Sequence, residues 1–330
     1  MKFLFRVTAA RIRNRGPFIL SHLVTGRCNC CCATCLWRDL DSPEMGTDEI
    51  KKFYADARAF GFAGIVLWGG EPLMRGDLPE ILHYANGLKF LTVLITNGSV
   101  LPELLGEFKT FADVLILSVD HPDAAVHDRI RGRVGVWSKV KESIPLVRAN
   151  FPETTITINS VLSKINAAEI ERLAGLAADW GTRIYFSPME TDLALSAGFG
   201  ERKKNLTLDE KELASACMKI LRLKESGFPV ANTVKYLRRF IPQKKPFTCR
   251  YQYAVAQIEQ SGVVEDCSCR DVPLGDLRRE SIGAILSKSR TRRIRSASRR
   301  CNVCNNPDVI ETSLFYDLSA PVILEKIIAF

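Results

Sequence analysis

The sequence contains no uninterrupted apolar run of the ~18 residues that a membrane-spanning helix requires, which excludes a helical membrane span. Its opening stretch, MKFLFRVTAARIRNRGPFIL, is basic but lacks an apolar centre followed by a small-residue cleavage site, which argues against a secretory signal and for the cytosol. There is no low-complexity linker and no repeat of solenoid period, so an extended array is excluded. Neither hydrophobic residues, at 46%, nor charged residues, at 25%, depart from globular values, and this excludes a disordered or fibrous chain. With 330 residues the chain can bury a full core in one large domain or two, so it has no need of disulfides for stability.

Against these absences stand eleven cysteines. In a cytosolic chain they point to metal or thiol chemistry rather than cross-links. Cys28, Cys30, Cys31, Cys32 and Cys35 form one group, in CNCCCATC; Cys249, Cys267, Cys269, Cys301 and Cys304 form a second; Cys217 stands alone. Two metal centres are expected.

Between the groups, short runs rich in Ile, Leu and Val alternate with helix-like stretches. Strands are predicted over 18–24, 64–68, 92–96, 113–120, 155–162 and 183–189, apolar enough to be buried on both faces. Helices are predicted over 47–60, with Thr47 as cap, and over 166–181, between Asn166 and Gly181. Six strand–helix units in series imply an α/β fold with a parallel sheet, either doubly wound or a partial barrel. Beyond residue 226 the rhythm changes to a hairpin around Ser261-Gly262 and then an arginine-rich helix, which suggests a second, smaller domain over 227–330.

In the first cysteine group, Cys28, Cys32 and Cys35 alone give the spacing C-x3-C-x2-C. Three thiolates on a short loop can hold three irons of a cubane and leave the fourth without a protein ligand; a structural zinc knuckle is the alternative, and Cys30 and Cys31 are then bystanders. The loop follows the first strand, and the later strands end in polar and glycine residues on the same edge: GGEPL (69–73), TNG (96–98), SVD (118–120) and Asn159.

Taken together, CNCCCATCLW, GGEP, TNG and SVD, in that order on successive strands over residues 18–190, resemble the radical S-adenosylmethionine (radical SAM) superfamily. The resemblance implies a partial (β/α)6 TIM-type barrel over 18–226 and a 4Fe-4S cluster on Cys28, Cys32 and Cys35. It also implies that S-adenosyl-L-methionine chelates the open iron and is cleaved reductively to a 5′-deoxyadenosyl radical that abstracts a hydrogen atom from a substrate carbon. On the same reading Gly69 and Gly70 let backbone approach the methionine moiety, Glu71 offers a carboxylate to its ammonium, and Pro72 fixes the turn. Thr96 and Asn97 belong to the cofactor edge. Ser118 and Arg129 fall where relatives bind the cofactor carboxylate, an exposed helix charge being the alternative for Arg129. Asn159 and Ser187 to Met189 would face the ribose and adenine; for Asp120, His121 and His127 a structural role carries equal weight.

The second group, Cys249, Cys267, Cys301 and Cys304 with Gly262 between the first two, resembles the twitch/SPASM-like α+β domain that holds an auxiliary 4Fe-4S cluster, giving two clusters in all. Cys269 is the alternative to Cys267, and a zinc ribbon the alternative to the cluster. The expected substrate is a lipid, isoprenoid or other phosphate-bearing small molecule. It rests on the formal charge of +9 and on residues 1–17, where Lys2, Arg6, Arg11, Arg13 and Arg15 alternate with apolar residues as in a segment peripheral to an anionic inner membrane face. A peptide-modifying maturase is the alternative, disfavoured by the 27 residues before Cys28, and an electron donor such as ferredoxin or flavodoxin is implied. A non-catalytic iron–sulfur or zinc protein that binds nucleic acid is the rival class; it gives GGEP and TNG no purpose, and no aromatic interleaving supports nucleic acid.

Overall fold

The structure, a computed structural model, describes residues 16–35, 42–189, 205–267 and 272–329. Nearly all of the basic N-terminal segment, and Cys269, lie outside the described residues. Among these residues no helix is long and apolar enough to cross a membrane.

Six parallel strands are laid down in chain order: β1 Ile19–Thr25, β2 Gly64–Gly69, β3 Leu91–Thr96, β4 Val114–Ser118, β5 Thr155–Leu162 and β6 Arg183–Pro188. The sheet is open, and it continues on the other side of β1. β7 (Val255–Ile258) pairs with β1 in parallel, and β8 (Val263–Glu265) and β9 (Pro273–Asp276) follow antiparallel, so the order is β6-β5-β4-β3-β2-β1-β7-β8-β9. This is an α/β partial barrel. The hairpin expected around Ser261-Gly262 forms between β7 and β8, with Gly262 at φ 90°, yet it is joined to the barrel sheet, because the edge of β1 would otherwise carry unpaired backbone groups.

Two-residue periodicity sorts each strand. Leu20, His22 and Val24 of β1, Ile65 and Leu67 of β2, Leu115 and Leu117 of β4 and Ile158 of β5 are fully buried in the layer under the helices. Ile19, Ser21, Val66, Trp68, Ile95, Ile116, Ser118, Asn159 and Gln257 instead line a cavity on the concave face. The covering helices include α1 Thr47–Phe60, α2 Leu78–Gly87, α3 Ala124–Arg131, α4 Val136–Asn150, α5 Ile170–Asp179 and α6 Glu210–Glu225. α1 illustrates the rule: Ile50, Phe53, Tyr54 and Ala57 form its buried stripe, and Gly61, at φ 116°, ends it by donating its N–H to Ala57 O. Its start differs from expectation. Gly46, not Thr47, occupies the N-cap, where Glu49 accepts the Gly46 N–H at 2.7 Å, while the Thr47 hydroxyl donates to Asp77 at 2.6 Å. α5 is likewise shorter than predicted, because Asn166 accepts from Ser163 N and donates to Asp120 O and Val161 O, and so holds the loop after β5.

The C-terminal region adds α7 Ile282–Ser287, α8 Ser289–Ser298, α9 Pro307–Tyr316 and α10 Ala320–Ala329. α7 lies against α1, where a Cβ at Gly283 would come within 2.8 Å of the Phe60 ring.

A buried imidazole makes this packing sensitive to pH. His22 is fully buried between Phe53 and Tyr54, shares a 2.8 Å hydrogen bond with the Tyr54 hydroxyl, and is held down to about 3 by burial and by the nearby Arg75 charge. The unfolded chain therefore takes up this proton first as pH falls. The contribution of His22 is complete above its unfolded value of about 6.5 and is lost towards pH 3, amounting to about 1.4 kcal/mol by pH 5.5. Guanidinium midpoints of wild type and His22→Gln at pH 7.5 and 5.5 should show a smaller acid-induced loss in the variant; equal losses would remove His22 as the source.

A cysteine-lined candidate active site

The loop after β1 is held from two sides by backbone. On one side the end of β2 runs along residues 25–27: Gly70 N donates to Thr25 O and Glu71 N to Arg27 O, both at 2.8 Å. A Cβ at Gly69 would lie 2.3 Å from Thr25 O and one at Gly70 2.3 Å from Arg27 O, so only glycine permits this approach. On the other side Cys31 N donates to Arg131 O (2.9 Å) and Ala33 N to Ile130 O (2.8 Å), with Gly132, at φ 64°, against the Cys31 backbone. The thiol loop is clamped between the GGE turn and the C-terminus of α3.

Glu71 ties this clamp to the next strand. It is fully buried, and its carboxylate accepts from Leu73 N (3.0 Å), Thr96 Oγ1 (2.6 Å) and Asn97 N (2.7 Å). Burial raises its pKa above the ordinary glutamate value, and these three donors act against the rise. Asn97 in turn donates to Asn29 Oδ1 at 3.0 Å and lies 3.3 Å from Cys30 Sγ.

Arg131 supplies the positive charge. Only 8% exposed, it pairs with the buried Asp120 at 2.8 Å and lies 3.8 Å from Cys32 Sγ. Burial opposes its charge, but Asp120 and Cys32 outweigh that and raise its pKa. Cys28 and Cys32 are both lowered below the ordinary thiol value, chiefly because the Cys30 thiol hydrogen-bonds to them, while Cys30 itself is raised and stays protonated.

The concave face encloses a cavity of about 540 Å3. Cys28, Cys30, Cys32 and Cys35 line it together with Cys249, Cys267, Cys301 and Cys304. Among the described residues no three His, Cys, Asp or Glu side chains are gathered closely enough to hold a single metal ion. The loop bearing Cys301 and Cys304 is fixed by Arg239, which donates to Asn302 O at 3.2 Å, by Lys244 to Val303 O at 2.7 Å and by Tyr236 to Asn305 O at 2.8 Å.

Of the other residues singled out in the sequence, Gly69, Gly70, Thr96, Asn97, Ser118, Asn159, Ser187, Pro188 and Met189 line the same cavity, with Ser187 donating to Asn159 at 2.7 Å. Three are placed differently. Glu71 and Pro72 lie outside the cavity wall, the carboxylate spent on the clamp and the proline opening a buried 3-10 turn. Arg129 is exposed on α3; the arginine at the cavity is Arg131. Helical spacing carried the missed signal, since His127, Ile130 and Arg131 fall on one stripe and Arg129 on the opposite side. His127 Nδ1 accepts from Asp120 N at 3.1 Å and His121 Nδ1 from Asp123 N at 3.0 Å, and both are structural.

The Radical SAM superfamily profile matches residues 23–177, the span that contains this clamp. Residues 23–177 are a radical SAM domain. The AdoMet-dependent heme synthase of Methanosarcina barkeri is 33% identical over 176 residues, 52% of this chain and 50% of that protein. The PqqA peptide cyclase of Xanthomonas euvesicatoria is 32% identical over 172 residues, 51% of this chain and 44% of that protein. The chain thus spans about half the length of the curated relatives it matches. Streptococcus suis SuiB, solved with S-adenosylmethionine and with its precursor peptide SuiA, superposes with a TM-score of 0.68 at 15% identity, over 88% of this chain and, in the S-adenosylmethionine complex, 71% of that one. That likeness speaks for the fold.

A radical SAM domain implies a 4Fe-4S cluster and S-adenosylmethionine. The residues present fit both. The Cys28, Cys32 and Cys35 side chains share the cavity wall with a buried guanidinium whose Nε has no hydrogen-bond partner among the described residues. Arg131 is part of that wall and would offer its positive charge to a carboxylate bound there. The clamp is testable without turnover. Gly70→Ala should lower iron content after anaerobic reconstitution and cost roughly 2 kcal/mol of stability by overpacking, whereas Gly76→Ala, with nothing within 4 Å of its Cβ, should change neither; full iron in Gly70→Ala would show that the close approach is dispensable.

Proposed function

We propose that the protein is a radical SAM enzyme that modifies a peptide. The single observation that carries the reading is the convergence of two thiol groups, more than 200 residues apart in sequence, on one cavity of the radical SAM domain. Cys28, Cys32 and Cys35 would hold a 4Fe-4S cluster with one iron open, and Cys249, Cys267, Cys301 and Cys304 an auxiliary cluster. When bound, cluster and cofactor supply one-electron cleavage of the sulfonium to a 5′-deoxyadenosyl radical that removes a hydrogen atom from a substrate carbon.

The chain's own part is to bind, orient and keep dry. Arg131, fixed by Asp120, and Ser118 would take the cofactor carboxylate, a planar fork being suited to two-bond pairing. Asn159 and Ser187 would face the sugar. Ile19, Val66, Val93, Ile95, Ile116 and Val161 make the wall apolar, so water is excluded where a carbon radical must survive.

A lipid or isoprenoid substrate was the expectation from charge; the peptide-modifying proteins among the relatives and structural neighbours favour a peptide instead. One relative carries a peptide cyclase name, and SuiB was solved with its precursor peptide. On the C-terminal side the wall offers Gln252, 4% exposed with its Oε1 lacking a partner, together with Gln257, Asn306 and Asp308, groups suited to backbone amides. An acidic electron carrier such as ferredoxin or flavodoxin completes the reaction.

Reduced, reconstituted enzyme should form 5′-deoxyadenosine, and Cys32→Ala should abolish it. Arg131→Ala should weaken S-adenosylmethionine binding on the order of 10–100-fold, from loss of a charged hydrogen bond, while Arg129→Ala leaves it unchanged; the reverse pattern would return the role to Arg129. Iron should number about eight per chain, falling to about four in Cys301→Ala/Cys304→Ala. Stimulation of cofactor cleavage by a defined peptide library, with a peptide product detected by mass, supports the substrate class. Stimulation confined to isoprenoid diphosphates, lipid vesicles or tetrapyrroles would replace it.

A further inference from the structure

Seven cations and no acid occur between Lys288 and Arg300, a stretch with no aromatic residue. α8 sorts them sharply. Thr291 and Ser298 are buried, Ile294 packs on the core, and the Arg295 guanidinium sits 4.9 Å over the Tyr253 ring. Arg290, Arg292, Arg293, Arg299 and Arg300 are all exposed. Arg292 and Arg293 are exposed on α8, Arg299 is its C-cap and Arg300 follows, so exposed guanidinium groups run from the helix to the Cys301 loop. Lys288 is neutralised by Glu280, but none of the five arginines has an ion pair among the described residues. Like charges three apart, as in Arg290 and Arg293, repel along a helix, so the pattern works against the helix that bears it. A local cost with no local compensation points to use.

Its position indicates the use. Arg300 is bonded directly to Cys301, and Cys301 and Cys304 line the cavity. A ten-residue helix is about 15 Å long, so a protein covering α8 lies directly over the approach to the second thiol group. We propose that the outward face of α8 docks an acidic one-electron carrier protein, seating it beside the Cys301–Cys304 loop. The assignment rests on the auxiliary-cluster reading of Cys249, Cys267, Cys301 and Cys304. Encounters between redox proteins bury little surface and are steered by opposite charge, which one basic helix face supplies. Nucleic acid fits less well, because no aromatic side chain stands among the arginines to stack on bases.

The test uses full-length reconstituted enzyme, an acidic plant-type [2Fe–2S] ferredoxin as probe, and the quadruple variant Arg292→Glu, Arg293→Glu, Arg299→Glu and Arg300→Glu, with an Arg→Gln quadruple variant for the case that reversal disturbs folding. Binding, measured by biolayer interferometry, should weaken at least tenfold in either variant at low salt. The difference should vanish near 0.5 M salt, where wild-type binding is screened as well. The rate of visible bleaching by reduced ferredoxin should fall in parallel, while 5′-deoxyadenosine formation with dithionite is unchanged. Unaltered ferredoxin binding, or wild-type binding indifferent to salt, overturns the docking face. So does loss of labelled single-stranded RNA binding in the variants with ferredoxin binding intact, which reassigns the face to nucleic acid. Failure of the dithionite reaction in wild type overturns the enzyme reading instead, which keeps the two failures apart.

Discussion

The whole site depends on the backbone clamp around residues 28–35. Three cysteines on an eight-residue loop have no fixed geometry of their own, since each added loop residue brings its own freedom in φ and ψ. Here four backbone hydrogen bonds, two from the end of β2 and two to the end of α3, remove that freedom before any ligand arrives. The glycines at 69 and 70 are the condition for it, because any side chain at either position would overlap the carbonyls of residues 25–27. Without that contact the thiols would not hold their place on the cavity wall.

Charge is arranged on the same frame. Asp120 faces Arg131, Arg131 faces Cys32, and Asn166 and His127 hold the Asp120 backbone. A buried guanidinium is costly unless paired, and Asp120 supplies the pair for Arg131. The Cys30 thiol is the chief cause that holds Cys28 and Cys32 below the ordinary thiol value, with Arg131 adding to it at Cys32, and this direction favours the thiolate that ligation of iron requires.

Much of this was legible in the residues. Strand-forming runs of Ile, Leu and Val, and the glycines and polar residues at their ends, gave six strands within one or two residues of their observed limits and the edge on which the site is built. The crowding of cysteines over residues 28–35 marked the loop that lines the cavity. Other features depend on contacts between elements. Glu71 reads as a ligand carboxylate until Thr96 and Asn97 are seen to occupy it. Arg129 and Arg131 differ only in which side of α3 faces the cavity, and substrate class was read from net charge, a property of the surface rather than of the site.

Local sequence by itself determined the alternation of strand and helix, the two thiol groups and the glycine turn, because each follows from steric limits on φ and ψ and from side-chain chemistry at short range. Only tertiary structure decided that β7 joins β1, that both thiol groups share one cavity, and which arginine enters it. Those outcomes depend on the packing of segments up to some 280 residues apart, for which no local preference exists.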